Sequence, residues 1–442
     1  MNKILGLAVL ALVITGCDAF DRAPVRAFQY LENTQVKTDI KRTTIGLYSD
    51  YAGDWPQYFY FNIAPNFQFR DVNPFTVTFI HHALSLVNNN TVAALGMTDE
   101  HAFQARQLRR RAIAFMERFA ARPGDPAAGT YGFWPYDPEP DGPVTPVEML
   151  ADDLFTNPVL FYGYRIPPNT GFFPENMAIP SDADTTANVL AAKLLSSQID
   201  GGVAPPSIAD LRVFTDWRDT GAVTRRLNPF WLPRMSGLYL TWLDYRVPGD
   251  PSAANDVDLL VNANVLYVMA RLGQPNAPGV DEAVGMINFV VNDGFHLIAF
   301  RSLVNYYPRN YCFEYCVSRA FYEGPLPALK PAVDRMADDL VAAAQVNSDG
   351  TAFWDQGSPH LNTAFAVLTL LNAGKDTPLI EQGLMYLAQE QKVLAGNWDE
   401  GEFFLGEPYY GVTGYWVSEA FTTAMALEAF CRFRLREAGI MP

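Results

Sequence analysis

The chain predicts an all-α fold, an (α/α)6 toroid made of two concentric rings of helices. Three observations carry this. A helix theme recurs six times, one-sided amphipathic stretches separate the copies, and strand patterns are scarce. The theme begins with a polar or acidic residue at or next to the start of each copy, carries Thr or Asn followed by Ala in four of the six, and continues as an apolar run. The copies are "DVNPFTVTFIHHALSLV" from Asp71, "SDADTTANVLAAKLL" from Ser181, "NDVDLLVNANVLYVMARLG" from Asn255, "NYCFEYCVSRAFYEG" from Asn310, "SPHLNTAFAVLTLLNAG" from Ser358 and "VSEAFTTAMALEAF" from Val417. The Asn310 copy matches most loosely. The intervening stretches keep one apolar stripe: in "DEHAFQARQLRRRAIAFMERFAAR" it is Leu108, Ala112, Phe115 and Phe119, with Arg109, Arg110 and Arg111 off it. Mostly apolar helices alternating with one-sided ones predict an inner ring wrapped by an outer ring.

In chain order, the first element is an export signal. Lys3 precedes an apolar run from Ile4 to Ile14, followed by Thr15-Gly16-Cys17. The run has eleven residues, too few to span a bilayer as a helix. Ile-Thr-Gly-Cys resembles a bacterial lipobox, which implies removal of residues 1–16 and lipidation of Cys17. That would give a membrane anchor facing the periplasm, and Asp18 resembles an inner-membrane retention signal. Residues 17–40 read as the anchored Cys and a tether, and 41–442 as one toroid domain. An insertion at about 122–150 carries the seven prolines between Pro123 and Pro146; proline is excluded from helix interiors, so this is a rim loop.

A net charge of −16 argues against nucleic acid as a partner. Cys312, Cys316 and Cys431 have neither disulfide nor metal spacing and read as small buried hydrophobes. No metal or cofactor is expected.

The joints carry a second motif. "GLMYLAQEQKVLAGNW" holds Gln391, Gly396 and Trp398, and "LVAAAQVNSDGTAFW" repeats it loosely with Gln345, Gly350 and Trp354; "GTYGFW" at Trp134 is a fragment of the same pattern. This resembles the QW motif of squalene–hopene and oxidosqualene cyclases, with Gln382 where the family has a basic residue. With the six inner copies, it marks a resemblance to the terpenoid cyclase/protein prenyltransferase toroid superfamily over most of residues 71 to 437.

Parallel inner helices gather their N-termini at one mouth, where positive helix ends favour carboxylates. "DADTTA" at Asp182 resembles the DxDDTA motif of class II terpene cyclases, in which the middle Asp protonates an alkene or epoxide. The resemblance implies Asp184 as the acid and Asp182 as an orienting partner, although Thr185 replaces the third acid. From the residues alone, Ser181 is a good N-cap and acids in a first turn are ordinary. Further pocket residues expected at the mouth are Asp258, Asn262, Glu314, His81, His360, Phe79, Tyr415 and Trp416, the histidines to orient the acid and the rings to stabilise a cation.

The reading is a lipid-anchored envelope protein, a proton-initiated cyclase or isomerase acting on a membrane-derived isoprenoid or another small molecule. Two alternatives stand beside it: an envelope carbohydrate-active enzyme with paired carboxylates, and a non-catalytic binding scaffold. Asp-x-Cys zinc ligands, a thioester motif, phosphate loops and a nucleophile elbow are absent from the sequence.

Overall fold

A computed structural model describes residues 19–39, 51–62, 68–121, 128–133, 181–220, 235–243, 255–406 and 413–441. The lipobox Cys17, Trp134 and most of the 122–150 insertion lie outside them.

The six expected copies are six helices: α2 (Pro74–Ser85), α4 (Ala183–Ile199), α5 (Leu259–Arg271), α7 (Cys312–Tyr322), α9 (Pro359–Asn372) and α11 (Glu419–Glu437). Each packs against the next and α11 returns to α2, so the ring closes. Their starts follow from local chemistry. Asp182, Asp258 and Ser418 are N-caps whose side chains accept helix N–H groups, and Pro74 and Pro359 occupy the first turn. These helices are buried nearly all round, as expected of a ring flanked on both sides.

The outer ring holds α3 (Asp99–Met116), α6 (Val280–Asn292), α8 (Lys330–Ala343) and α10 (Leu379–Glu390), each following an inner helix. After α4 the described residues hold only the short turns Ile208–Leu211 and Arg212–Asp216. Arg109 departs from the expected exposed face of α3. It is buried, paired to Asp200 at 2.6 Å, and donates to the carbonyls of Leu84 and Val87 at the end of α2.

The tether expected over 17–40 needs correction from residue 19 onward. Residues 19–34 form a helix, α1, with Ala23, Ala27, Phe28 and Leu31 fully buried. Phe20 meets Phe430 and Phe433 edge-on, and Tyr30 donates to Glu419 at 3.2 Å. With Phe28 against His101 of α3, the helix is an outer helix laid along α11. Its four apolar contacts at i, i+4, i+5 and i+8 are the stripe that brings it there.

At the joint after α10, Gln391 donates to the carbonyls of Ala23 and Gly396, while Trp398 donates to Leu387. Gly396 has φ +85°, and a Cβ there would lie 2.5 Å from the Arg26 carbonyl, so only glycine fits. Trp354 makes the equivalent bond to Leu340, but Gln345 is exposed in the short hairpin of β3 (Gln345–Val346) and β4 (Ala352–Phe353).

A sheet not foreseen from the sequence lies across the mouth. β1 (Gln57–Phe61), β2 (Phe69–Asp71), β5 (Gly401–Leu405) and β6 (Gly414–Ser418) pair antiparallel in the order β2-β1-β6-β5. Gln57 ties it to α2 by donating to Asn73 and accepting from Thr76. Phe59 and Trp416 occupy one face, stacked at 5.6 Å, while Tyr60 and Tyr415 stack on the other.

Candidate functional site

The two acids of "DADTT" do different work. Asp182 is the N-cap of α4: its Oδ1 accepts the Thr185 N–H at 2.6 Å. Burial first, then the Asp184 charge, push its carboxyl up to about 8, so it is a neutral acid at pH 7. Asp184, two residues on, caps nothing. Its Oδ1 accepts from Asn264 at 2.6 Å and Asn188 at 3.1 Å, and its Oδ2 accepts from the Tyr307 hydroxyl. Burial lifts it to about 6 against the downward pull of Tyr307, Asn264, Arg319 and Asn188.

Arg319 of α7 organises this shell. Its Nη2 donates to Asn188 at 3.0 Å and Asn264 at 2.7 Å, fixing both amides so that their N–H groups face Asp184. The guanidinium lies over the rings of Tyr267, Phe79 and Tyr315, at 4.5, 4.9 and 5.5 Å. A fixed positive charge thus stands beneath the acid and stabilises its conjugate base.

Above the acid stands an aromatic mouth. Phe404 of β5 meets Phe133 (5.0 Å), Trp416 (5.3 Å), Tyr307 (5.4 Å), Phe75 (5.7 Å) and Tyr306 (6.2 Å). Below, Phe75, Phe79, Tyr315, Phe365, Phe403 and Phe421 form a buried chain of ring contacts along the barrel axis.

Toward the other rim lies a second charged cluster. Arg432 donates to Glu428 at 2.7 Å and to Glu323, and His82 lies 3.2 Å from Glu323 and 3.5 Å from Glu428. The His82, Glu323 and Glu428 ligand atoms lie within 4.8 Å of one another, but Arg432 already supplies the positive charge a metal would bring.

The other expected residues divide. Phe79 and Trp416 belong to the axis and the mouth, Trp416 donating to Asp71 at 2.7 Å. Asp258 is a staple whose carboxylate takes the N–H groups of Leu260, Val261, Asn305 and Tyr306. Asn262 is spent on the backbone of Tyr239 and Asp258. Neither histidine orients the acid. His81 pairs with Ser196 at 2.8 Å, and burial holds it well below its ordinary pKa. His360 lies by Glu390 and Tyr386 of α10. Glu314 is buried and pushed up to about 7 by that burial, with Arg309 and Asp339 as its charged neighbours. Tyr415 points to the outer face of the sheet. Tyr307, Asn188 and Arg319 escape the sequence reading; a buried arginine inside an inner-helix copy is the one signal available for them.

The Asp182 proton has a measurable consequence. The folded protein holds a proton there between the unfolded value near 4 and about pH 8. Stability fully present below pH 4 is therefore lost progressively as pH rises to 8. Asp182→Asn keeps the cap and removes the titration. From pH 5 to 8.5, urea melts of the wild type should lose at least about 1 kcal/mol relative to this variant, less than one pKa unit's worth. Parallel pH dependences would show that Asp182 is not the neutral group.

No protein-family profile matches the chain, and no curated protein sequence does. Solved structures do. The type II terpene cyclase MstE from Scytonema, as an arginine-to-alanine variant in complex with geranylgeranyl dihydroxybenzoate (substrate), is 12% identical with a TM-score of 0.52, covering 95% of this chain and 99% of that one. An aspartate-to-asparagine variant with the same substrate gives 11%, 0.54, 95% and 99%. The apo enzyme gives 12%, 0.52, 94% and 98%. At such identity the likeness is one of fold: the chain has the terpene-cyclase-like toroid.

Proposed function

We propose that this protein is a proton-initiated cyclase or isomerase of isoprenoids, with Asp184 as the acid. The observation that carries it is the Asp184 shell: a buried carboxyl kept near 6, three hydrogen-bond donors and a guanidinium ready for its conjugate base, and an aromatic mouth above. Burial keeps part of the group protonated, while the donors make that proton strongly acidic. The Asp184 O–H bond breaks as a C–H bond forms at an alkene carbon, and the alkene π pair becomes the new bond. A tertiary cation results; it loses a neighbouring proton to solvent to give an isomer, or a second alkene of the same chain attacks it, closing a ring and moving the charge along the chain until proton loss to solvent ends the reaction. The π faces of the mouth stabilise the positive charge, and solvent reprotonates Asp184. The geranylgeranyl substrate of MstE supports an isoprenoid of this general kind. Lipidation at Cys17 and an envelope location belong to the same proposal.

The test is incubation with squalene or geranylgeraniol in D2O. One deuterium should enter each product, and the rate should rise as pH falls through about 6, since the protonated acid is the active form. Products without deuterium, or no conversion of either chain, would remove the proposal. The scaffold reading is kept by one observation, the ring-filled barrel axis, and no conversion would favour it.

A further inference from the structure

We infer that Phe404 selects which chains reach Asp184, as the movable ring among the six described in contact at the mouth; this rests on the function proposed above. Strand β5 carries a defect. Glu402 pairs with Val417 and Phe404 with Trp416, so Phe403 is an extra residue, a β-bulge. Without it, Phe403 would face Trp416 and Phe404 would face Tyr415, on the outer side of the sheet. The bulge therefore puts two consecutive phenylalanines on the mouth side. Phe403 sinks into the axis, stacked on Phe421 at 4.6 Å. Phe404 stays above it at the hub of the mouth.

The five rings around Phe404 are held in place. Tyr307 bonds Asp184, Tyr306 bonds Asp256 and Trp416 bonds Asp71, so turning any of them breaks a buried hydrogen bond to a carboxylate. Phe75 and Phe133 are buried, Phe75 within the chain of axial rings. Phe404 alone among the six is partly exposed and has no polar atom, so its rotation costs only ring contacts. The strand beneath it does not share this freedom, because Leu405 N–H donates to Tyr306 and the Glu402 carbonyl accepts from Asn310. Motion is thus confined to one side chain. It stands against Tyr307, whose hydroxyl holds the acid, so a prenyl chain that displaces Phe404 arrives at Asp184. The width left when the ring turns decides which chains pass.

The experiment uses the full chain with Phe404→Ala, Phe404→Leu and Phe404→Trp, the leucine variant covering a failure of the alanine variant to fold. Binding of geranylgeraniol and squalene is followed by quenching of tryptophan fluorescence, alongside kcat/KM for each. The smaller side chains should speed association at least tenfold, and raise kcat/KM for squalene over geranylgeraniol by a similar factor. Phe404→Trp should do the reverse. Wild-type turnover with unchanged rates and selectivity in all three variants would overturn the selecting role and leave the proposed function standing. Failure of the wild type and the smaller variants alike to bind either chain would overturn both.

Discussion

Replacing Arg432 by methionine should destabilise the protein by about 3–5 kcal/mol, the usual cost of stranding a buried charge partner. Arg432 is 3% exposed and Glu428 fully buried, so water cannot take over when the guanidinium goes. Burial alone would raise both glutamates; Arg432 first and His82 second overturn this, holding Glu323 and Glu428 below their ordinary values. The same carboxylates lift His82 despite its burial. Loss of the arginine leaves two carboxylates in the interior with only the His82 ring beside them. The expected cost is a large part of the roughly 5–15 kcal/mol that a domain possesses. It would be read as a drop in urea midpoint at constant slope. Combining Arg432→Met with Glu323→Gln and Glu428→Gln should recover most of it, because the desolvated charges leave together. A loss below about 1 kcal/mol in the single variant, the range of a solvated pair, would mean that water reaches the cluster.

Asp184→Asn should lower isoprenoid turnover by about 10³-fold or more, at the upper end of what a positioned general acid contributes, with the melting temperature within a few degrees of wild type. The asparagine can keep its carbonyl oxygen toward Asn264 and Asn188 and turn its amide toward the Tyr307 oxygen, so the shell keeps its shape and only the Tyr307 O–H gives up its acceptor. Asp182→Ala gives the contrast. Loss of the cap should cost about 1 kcal/mol of stability and leave the Asp184 shell in place. A melting-temperature loss in Asp184→Asn as large as that of the cap variant, with turnover retained, would make Asp184 a structural residue.

The ring is legible in the sequence because helix starts and apolar runs are local signals, and six copies reinforce one another. Of the acid and its shell only Asp182 and Asp184 are legible, and of the rings around them Phe79 and Trp416. Periodicity supplies a phase only when a helix has a wet side. From Ala183 to Leu195, α4 is buried except at Lys193, so the pattern cannot say which way Asn188 faces. The same blindness puts His81, Glu314 and Asn262 at the mouth. Tyr307 is out of reach for another reason: it sits in "NYYPRN", a loop whose path across the mouth is set by tertiary contacts, including the Asp258 staple. Tyr415 is lost to register, since the strand alternation sends Trp416 in and its neighbour out.

The packing of α1 has a directional consequence. Phe20 lies level with Phe430 and Phe433, well down α11, while Tyr30 is level with Glu419 at the mouth. The helix therefore climbs roughly 15 Å toward the mouth at about 1.5 Å per residue. From Ala19 back to Cys17 the chain reaches at most about 7 Å. A lipid on Cys17 would be a mooring with almost no slack, made fast to the lower flank of the barrel. A molecule so berthed would hold its mouth away from its own bilayer, and an isoprenoid drawn from that bilayer would have to cross the aqueous side to reach it.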